Sequence, residues 1–363
     1  MMAVEIHSGC RMALGQPMMD AESYRRLQLT SVTGHGGTDE LEILKVTSSL
    51  IFTTLLWKVY DKPNIGHKRY IFDFFLLIAP QIVLFCYPQW SQWLFMTVLL
   101  CTLPYISSPQ KIMAEGLKRK VNNTTSKLLP FWTNARAAIT IMCLIGILAV
   151  DFNVFPRRFA KTEEYGISLM DVGVGCVVAS MGITAGRPLF GGSRRQSWFR
   201  TAKSTLPLLI LGLMRMLLVK VINYQEHISE YGVHWNFFVT LGILPIVMHI
   251  AFMVINARHS FWVGLLLGGI YQWTLSTTSL ETFIIAGHRK TFFAMNKEGI
   301  VSIWGYLALS LMSVGVGKDI FSGSKNEVQI AKRLFPKLLL LGGLYIFLRY
   351  GLGLAPSRRL VCF

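Results

Sequence analysis

The stretch that decides the fold runs from Asn134 to Thr184 and reads NARAAITIMCLIGILAVDFNVFPRRFAKTEEYGISLMDVGVGCVVASMGIT. Two apolar segments of membrane-spanning length, 134–151 and 166–184, flank a short link that is dense in charge. A helix needs about 20 predominantly apolar residues to cross the hydrocarbon core of a bilayer. The stretch therefore predicts two adjacent transmembrane helices, and charge this dense between them indicates a site of chemistry.

Similar apolar segments recur along the whole chain, whose 363 residues are 52% hydrophobic and only 15% charged. The candidate spans, each good to a few residues at its ends, are 46–60, 70–88, 90–107, 134–151, 166–184, 203–222, 236–256, 260–277, 299–317 and 336–354. We therefore predict an all-α, polytopic transmembrane helix bundle of about ten spans. The range is about nine to eleven, because the first span contains Lys58 and the weak apolar run 279–287 could be re-entrant.

The spans divide the chain into a polar N-terminal segment, 1–45, a single transmembrane helical domain, 46–354, and a short C-terminal tail, 355–363. One set of alternate connections comprises 61–69, 108–133, 185–202 and 318–335. That side of the membrane carries about 21 Lys and Arg residues, against about 14 on the side of the N-terminus. The positive-inside rule then predicts that the N-terminus and the link 152–165 face the lumen or the exterior.

Composition and motifs exclude several functional classes. The net charge of +17 sits in short connections rather than in a basic domain, so membrane topology explains it better than nucleic acid does. The chain has no Walker loop, GxSxG elbow or HExxH helix.

Four of the six cysteines lie in apolar spans: Cys86, Cys101, Cys143 and Cys176. They are interpreted as small hydrophobic residues rather than as members of a disulfide framework or a metal site. His249, alone in an apolar span, is interpreted as a packing histidine.

The charged link supplies two candidate catalytic residues, Asp151 and Lys161. Asp151 follows an apolar helix, where the negative end of the helix dipole disfavours a carboxylate, as a general base near neutrality requires. Pro156 forces Phe155 into an extended conformation, so the link is expected to turn back along the membrane surface and could bring Lys161 to face Asp151. Such a pair suits removal of a proton from an alcohol, with the cation stabilising charge on an attacked carbonyl. A plain Asp–Lys ion pair is the structural alternative.

Other polar residues are candidates for substrate binding. Asp171 and Arg215 lie inside neighbouring spans, and because a lone buried charge is costly, we predict that they pair, either to fix helix packing or to touch substrate. Arg157 and Arg158 lie on the side where the positive-inside rule disfavours basic residues. Their side chains either snorkel to the lipid headgroups or bind an anion. The next connection on the same side is rich in groups that bind hydroxyls, which is typical of a sugar or polyol site. These groups are Lys220, Glu226, His227, Glu230, His234, Trp235 and Asn236.

Two long motifs in these regions are similar to those of a known family. They are DFNVFPRRFAKTE at 151–163 with GISLMDVGVG at 166–175, and YQEHISEYGVHWNFF at 224–238. Shorter stretches that agree are VTGHGGT at 32–38, NKEGI at 296–300 and GYLA at 305–308. On these residues the chain resembles the PIG-W type of glucosaminyl-phosphatidylinositol acyltransferase, from residue 30 to about residue 320.

The resemblance implies an enzyme of glycosylphosphatidylinositol (GPI) anchor synthesis in the endoplasmic reticulum membrane. Its reaction would move a fatty acyl group, palmitoyl, from acyl-CoA to the inositol 2-hydroxyl of glucosaminyl-phosphatidylinositol, with no metal or other cofactor. Asp151 would deprotonate the hydroxyl and Lys161 would stabilise the thioester oxyanion, although these roles could be exchanged. Arg157 and Arg158 would face the lipid phosphate, and the stretch 224–236 would hold the glucosamine-inositol headgroup.

The chain departs from that family in a few places. It ends at Phe363, where proteins of this type continue with further helices, so a late helical pair is expected to be missing. His35 and the stretch 176–180 replace an asparagine-containing turn and a Phe-rich stretch. Overlapping glycosylation sequons at 122–125 fall on the side predicted to be cytosolic, where they could not be used.

Two other functional classes remain open from the residues alone. A lipid or solute transporter would use Asp151, Asp171 and Arg215 as an intramembrane relay, although no inverted repeat is evident. A structural subunit of a larger membrane complex would tolerate an uncharged replacement of Asp151 and Lys161, which an enzyme would not.

Overall fold

A computed structural model describes residue 23 and residues 34–60, 68–106, 130–190, 197–222, 228–321 and 327–357. Every regular element within these ranges is helical, which confirms the all-α prediction. The α-helices in chain order are α1 (Glu40–Tyr60), α2 (Lys68–Asp73), α3 (Ala79–Cys86), α4 (Ser91–Ile106), α5 (Pro130–Ala149), α6 (Leu169–Phe190), α7 (Trp198–Ile222), α8 (Ile228–Tyr231), α9 (Phe237–Val254), α10 (Ser260–Thr277), α11 (Leu280–Ala286), α12 (Phe292–Met295), α13 (Lys297–Phe321) and α14 (Glu327–Ile346). A π-helical segment, Phe74–Ile78, joins α2 to α3, and another, Phe347–Gly351, extends α14.

Six helical segments in the described part of the chain are long and apolar enough to cross a membrane. They are Arg69–Cys86, Phe131–Ala149, Leu169–Leu189, Trp198–Val221, Phe237–Val254 and Lys297–Phe321. The four other predicted spans coincide with α1, α4, α10 and α14, which are helical but shorter or more polar. The weak apolar run 279–287 forms the short helix α11.

Several predicted helix boundaries are wrong, and charged residues are the reason. α1 begins at Glu40 rather than at 46, and α14 begins at Glu327 rather than at 336. A window chosen for apolar character stops at charged side chains, whereas the backbone helix continues through them because Glu, Lys and Arg are good helix formers.

α13 lies at the centre of the bundle, between α6 and α10, and most of its side chains are buried. Small residues let these helices approach closely: a Cβ atom on Gly182 of α6 would lie 2.7 Å from the carbonyl oxygen of Ser310. On the other side of α13, a Cβ atom on Gly264 of α10 would lie 2.7 Å from the carbonyl oxygen of Ala308. Close backbone approach through small residues is the usual way in which helices associate inside a membrane.

One end of the bundle, here named the loop face, brings together five connections that are distant in sequence. They are 34–39, 150–168, 228–236, 278–296 and 352–357. Backbone hydrogen bonds join three of them: Thr38 N donates to the Ile167 carbonyl at 2.8 Å, and Gly166 N donates to the Pro356 carbonyl at 2.9 Å. The other two are joined by Val233 N, which donates to the Met295 carbonyl at 2.9 Å. Residues 34–39 and the link 152–165 therefore lie at the same end of the bundle, as the prediction of a shared side requires.

Candidate active site

The charged link folds back over the end of the bundle, as predicted. α5 ends at Ala149, Pro156 is extended with ψ of 120°, and a short 3-10 turn follows at Arg157–Phe159. Phe155 and Phe159 are buried and pack in one cluster with residues of α1, α3 and α6. Because these two rings anchor the link, the charged side chains between and after them are held at fixed places on the loop face.

The two arginines of the link contact protein groups. Arg157 Nη1 donates to the Val150 carbonyl at 2.7 Å, beside the C-terminus of α5, where a cation is favoured by the helix dipole. Arg158 forms a two-pronged ion pair with Glu42 of α1, with distances of 3.0 Å from Nε and 2.9 Å from Nη2. The hydrogen bonds from Arg158 hold the pKa of Glu42 below its ordinary value, and Glu42 in turn raises the pKa of Arg158.

The glycine-containing segment before α1 packs against the same link. Gly34 N donates to Glu163 Oε2 at 3.1 Å, and Glu163 N donates to the His35 carbonyl at 3.2 Å. Gly37 has a φ of +84°, and a Cβ atom there would lie 2.3 Å from the Ile167 carbonyl oxygen. Only glycine fits this position, which explains the glycine pattern of the N-terminal motif.

The candidate catalytic residue Lys161 pairs with an acid from a different segment. Its Nζ lies 3.0 Å from Glu230 Oε2 on the short helix α8, with side-chain exposures of 31% and 15%. Asp151 is exposed and makes no side-chain hydrogen bond or ion pair within the described ranges. The simple Asp151–Lys161 ion pair is therefore not formed, because the fold directs Lys161 towards α8; both residues nonetheless lie on the loop face.

The predicted pair between Asp171 and Arg215 is wrong. Asp171 Oδ2 accepts hydrogen bonds from Thr162 N at 3.1 Å, from Thr162 Oγ1 at 2.9 Å and from Ser168 Oγ at 2.8 Å. Arg215 is exposed on α7. Asp171 thus ties the end of the charged link to the first turn of α6 through its Oδ2 atom, and within the described ranges it does not pair with Arg215.

The second motif is described in part. Glu226 and His227 lie outside the described residues, and Lys220 is exposed in the last turn of α7. His234 N donates to Asn296 Oδ1 at 2.7 Å, and the His234 ring stacks on Phe292 with an interplanar angle of 9°. The segment is therefore fastened to the connection that precedes α13.

Trp235 and Asn236 have structural partners. Trp235 Nε1 donates to Thr240 Oγ1 at 2.9 Å. Asn236 is buried, its Oδ1 caps the first turn of α9 by accepting from Val239 N, and its Nδ2 donates to the Gly212 carbonyl at 2.8 Å. Because its side-chain oxygen and nitrogen are both engaged, Asn236 fixes α9 against α7.

A group of buried charged residues at the start of α13 was not among the predicted site residues. Lys297 Nζ donates to the Phe283 and Gly287 carbonyls at 2.7 and 2.6 Å, and the fully buried Glu298 pairs with Arg289. The sequence feature that could have indicated this group is the Lys-Glu pair directly before the apolar run 299–317. These contacts hold the connection between α11 and α13 in one shape.

A cavity of about 140 Å³ lies between α6, α7 and α9, in the half of the bundle remote from the loop face. Its apolar lining comprises Met181, Ala185, Leu189, Pro245, Met248 and Phe252. His249 also lines it, with Nδ1 3.4 Å from Thr201 Oγ1 and its ring edge against Trp198. His249 is thus partnered, as expected for a packing histidine, and it adds a polar group to an apolar cavity.

The four cysteines predicted to lie in apolar spans are half-buried free thiols. Within the described ranges, no group of three or more His, Cys, Asp or Glu residues is placed to hold a metal ion.

Comparison with known proteins assigns the chain to a family. The GWT1 family model matches residues 24–363. The chain belongs to the GWT1 family. This membership confirms the resemblance identified from the sequence motifs.

Three curated members illustrate the GWT1 family relationship. GPI-anchored wall transfer protein 1 of Gibberella zeae is 34% identical over 94% of this chain and 77% of its own length. The protein of the same name from Saccharomyces cerevisiae is 35% identical over 79% of this chain and 63% of its own length. The phosphatidylinositol-glycan biosynthesis class W protein of Dictyostelium discoideum is 34% identical over 83% of this chain and 71% of its own length.

In the structure, the two long sequence motifs of this GWT1 family member contact each other. Lys161 belongs to the first motif and Glu230 to the second, and the two side chains are 3.0 Å apart. Residues that are far apart in sequence thus form one polar site at the loop face.

Proposed function

We propose that this protein carries out the inositol acylation step of GPI-anchor synthesis. The reaction transfers a fatty acyl group, palmitoyl, from acyl-CoA to the inositol 2-hydroxyl of glucosaminyl-phosphatidylinositol in the endoplasmic reticulum membrane. Membership of the GWT1 family supports the reaction. The contact between Lys161 of the first motif and Glu230 of the second supports the location of the active site on the loop face.

Asp151 and Lys161 are the proposed catalytic residues. Asp151 removes the proton from the inositol hydroxyl, the hydroxyl oxygen attacks the thioester carbonyl carbon, and Lys161 stabilises the negative charge on the carbonyl oxygen. Collapse of that intermediate forms the ester and releases CoA thiolate, which then takes up a proton. The exposed carboxylate of Asp151, which has no side-chain partner within the described ranges, supports its role as the base.

The acceptor lipid is proposed to bind across the same face. Arg158 keeps about half of its side chain exposed beside Glu42 and presents donors at the surface, as a phosphate contact requires. Arg157 lies next to it, and Asp171 shapes the loop that carries both. Lys220 and the 224–236 stretch, through His234 above all, provide the sugar-binding side.

The acyl chain is proposed to occupy the cavity between α6, α7 and α9. Its walls are mainly apolar, and a cavity of about 140 Å³ compares with engineered cavities of about 150 Å³ that bind benzene. The cavity would therefore hold part of a long chain rather than the whole. Met181 in its wall lies about 15 Å along α6 from Asp171, at about 1.5 Å per residue, which is within reach of a palmitoyl chain whose thioester lies near the loop face.

Ten membrane crossings with a luminal N-terminus are proposed. Gly34 precedes the first long helix and Ser357 follows the last, yet both contact the link 150–168, through Glu163 and Glu164 respectively. An even number of crossings accounts for two such contacts at one face. The excess of Lys and Arg on the opposite side supports a cytosolic location for that side.

The decisive test is acyl transfer by the purified protein. Labelled palmitoyl-CoA and glucosaminyl-phosphatidylinositol are incubated with wild type, with Asp151→Asn and, as a matched control, with Asn153→Asp, which changes charge on the same exposed link. We expect label on the inositol ring with wild type and with the control, and a loss of at least about 100-fold with Asp151→Asn. Label that does not depend on Asp151 would place the base elsewhere, and no label with wild type would contradict the proposed function.

A further inference from the structure

We propose that Glu230 is the positioning residue for Lys161, holding its ammonium group in the orientation that the reacting thioester needs. This inference rests on the proposed function of Lys161 and adds a residue to that site. The observation is the 3.0 Å contact between Lys161 Nζ and Glu230 Oε2. The pair is largely shielded, with 15% of the Glu230 side chain exposed.

The other carboxylates near Lys161 in the described part of the chain are engaged elsewhere. Asp171 accepts hydrogen bonds from Thr162 and Ser168. Glu163 accepts from the backbone of Gly34 at 3.1 Å. Glu230 is the acid that contacts Lys161, so the orientation of the lysine depends on it.

If the role of Glu230 were purely structural, it would be one of several residues that hold the link in place. The link is already held by Phe155 and Phe159 in the core, by the Arg158–Glu42 pair and by the Gly166–Pro356 backbone hydrogen bond. Its overall path therefore does not depend on Lys161. What the pair specifically fixes is the end of a flexible four-carbon side chain, which otherwise samples many rotamers.

Orientation of this kind affects the chemical step more than binding. The oxyanion forms only in the transition state, so a misplaced ammonium group weakens transition-state stabilisation without removing ground-state contacts. Displacement of a catalytic group by about 1 Å can lower the rate by about 100-fold.

The test compares Glu230→Gln and Glu230→Asp with wild type and with Glu281→Gln. Glu281 is a matched control, because its carboxylate also contacts the link, at 2.5 Å from the Tyr165 hydroxyl, but does not touch Lys161. We expect Glu230→Gln to lower kcat by about 10- to 100-fold with KM values for acyl-CoA and acceptor within about twofold. Glu230→Asp should recover part of the loss, and Glu281→Gln should stay within about threefold of wild type in kcat.

A second measurement does not depend on activity. Purified variants are treated briefly with a water-soluble acylating reagent, and modification of Lys161 is quantified by mass spectrometry. A lysine released from its carboxylate is more available, so modification should rise several-fold in Glu230→Gln and remain unchanged in Glu281→Gln.

The outcomes separate this inference from the proposed function. If wild type is active and Glu230→Gln has the same kcat, the positioning role is overturned and the acyltransferase function stands. The same follows if the modification of Lys161 is unchanged in Glu230→Gln. Equal losses in Glu230→Gln and Glu281→Gln would also overturn it, because any anchor of the link would then serve. An inactive wild type whose Lys161 becomes more reactive in Glu230→Gln would instead contradict the proposed function alone.

Discussion

Two charged side chains of the link 150–168 pair with residues of distant segments rather than with near neighbours. Arg158 pairs with Glu42 and Lys161 with Glu230, each across a long stretch of sequence. Partly exposed pairs of this kind contribute little to stability, about 0 to 1 kcal/mol each. Their main effect is therefore to fix where charges stand when substrate arrives.

The Glu42–Arg158 pair gives a prediction for the pH dependence of stability. Hydrogen bonds from Arg158 lower the pKa of Glu42 from its ordinary 4.5, so the pair stabilises the fold above that value. The stabilisation is lost as pH falls through the lowered folded-state pKa. We expect the apparent Tm of wild type to fall more steeply than that of Glu42→Gln between about pH 5 and pH 3, by thermal unfolding in detergent.

The matched control for this measurement is Glu164→Gln. Glu164 is exposed on the same link, and the contact it makes with Ser357 is through its backbone carbonyl. Its pH profile should follow that of wild type. Parallel profiles for wild type and Glu42→Gln would show that the pair does not contribute to folding.

Most of the charged residues of the candidate site could be predicted from the sequence, but the residues they contact could not. Asp151, Lys161 and Asp171 stood out because charge is rare beside apolar spans. The partners Glu230 and Thr162 are set by how the link turns over the bundle, which depends on the burial of Phe155 and Phe159. Residue spacing carries no information on that turn beyond the extended conformation before a proline.

Among the helices, α6 is the element that connects the two ends of the proposed site. Its first turn holds Asp171 beneath the charged link, and its last turns line the cavity. Glycines on α6 let it press against the buried α13, so it is held along its length. Hydrophobic periodicity predicted this helix but not the cavity, because a void depends on how three helices pack rather than on any one of them.

Filling the cavity should change acyl-chain preference. Ala185→Phe introduces a ring into the lining, whereas the control Ala137→Phe places the same ring on the exposed side of α5. Because a single methylene group is worth about 1 to 3 kcal/mol in an apolar pocket, we expect the palmitoyl-to-lauroyl ratio of kcat/KM to fall at least about tenfold in Ala185→Phe. The control should keep the wild-type ratio. Equal losses with both donors in Ala185→Phe would place the acyl chain elsewhere.

For the molecule as a whole, apolar segment length predicted the helical bundle well, since ten predicted spans coincide with helical segments. Their ends were less predictable, because helices such as α1 and α14 continue through charged residues. The meeting of residues 34–39 with 352–357 at one face could not be read from periodicity, because it depends on every helix between them.

That meeting determines the expected topology, which cysteine labelling can test. In a variant with all six native cysteines replaced by serine, single cysteines are introduced at Asn153 and Ala355 on the loop face, and at Ser197 and Arg258 at the opposite end. In sealed microsomes a membrane-impermeant maleimide should label Ser197→Cys and Arg258→Cys at once, because the positive-inside rule places that end in the cytosol. Asn153→Cys and Ala355→Cys should react only after detergent opens the membrane. Different behaviour of Asn153→Cys and Ala355→Cys would require an odd number of crossings between them, and a glycan on the sequons at 122–125, which lie outside the described residues, would reverse the orientation.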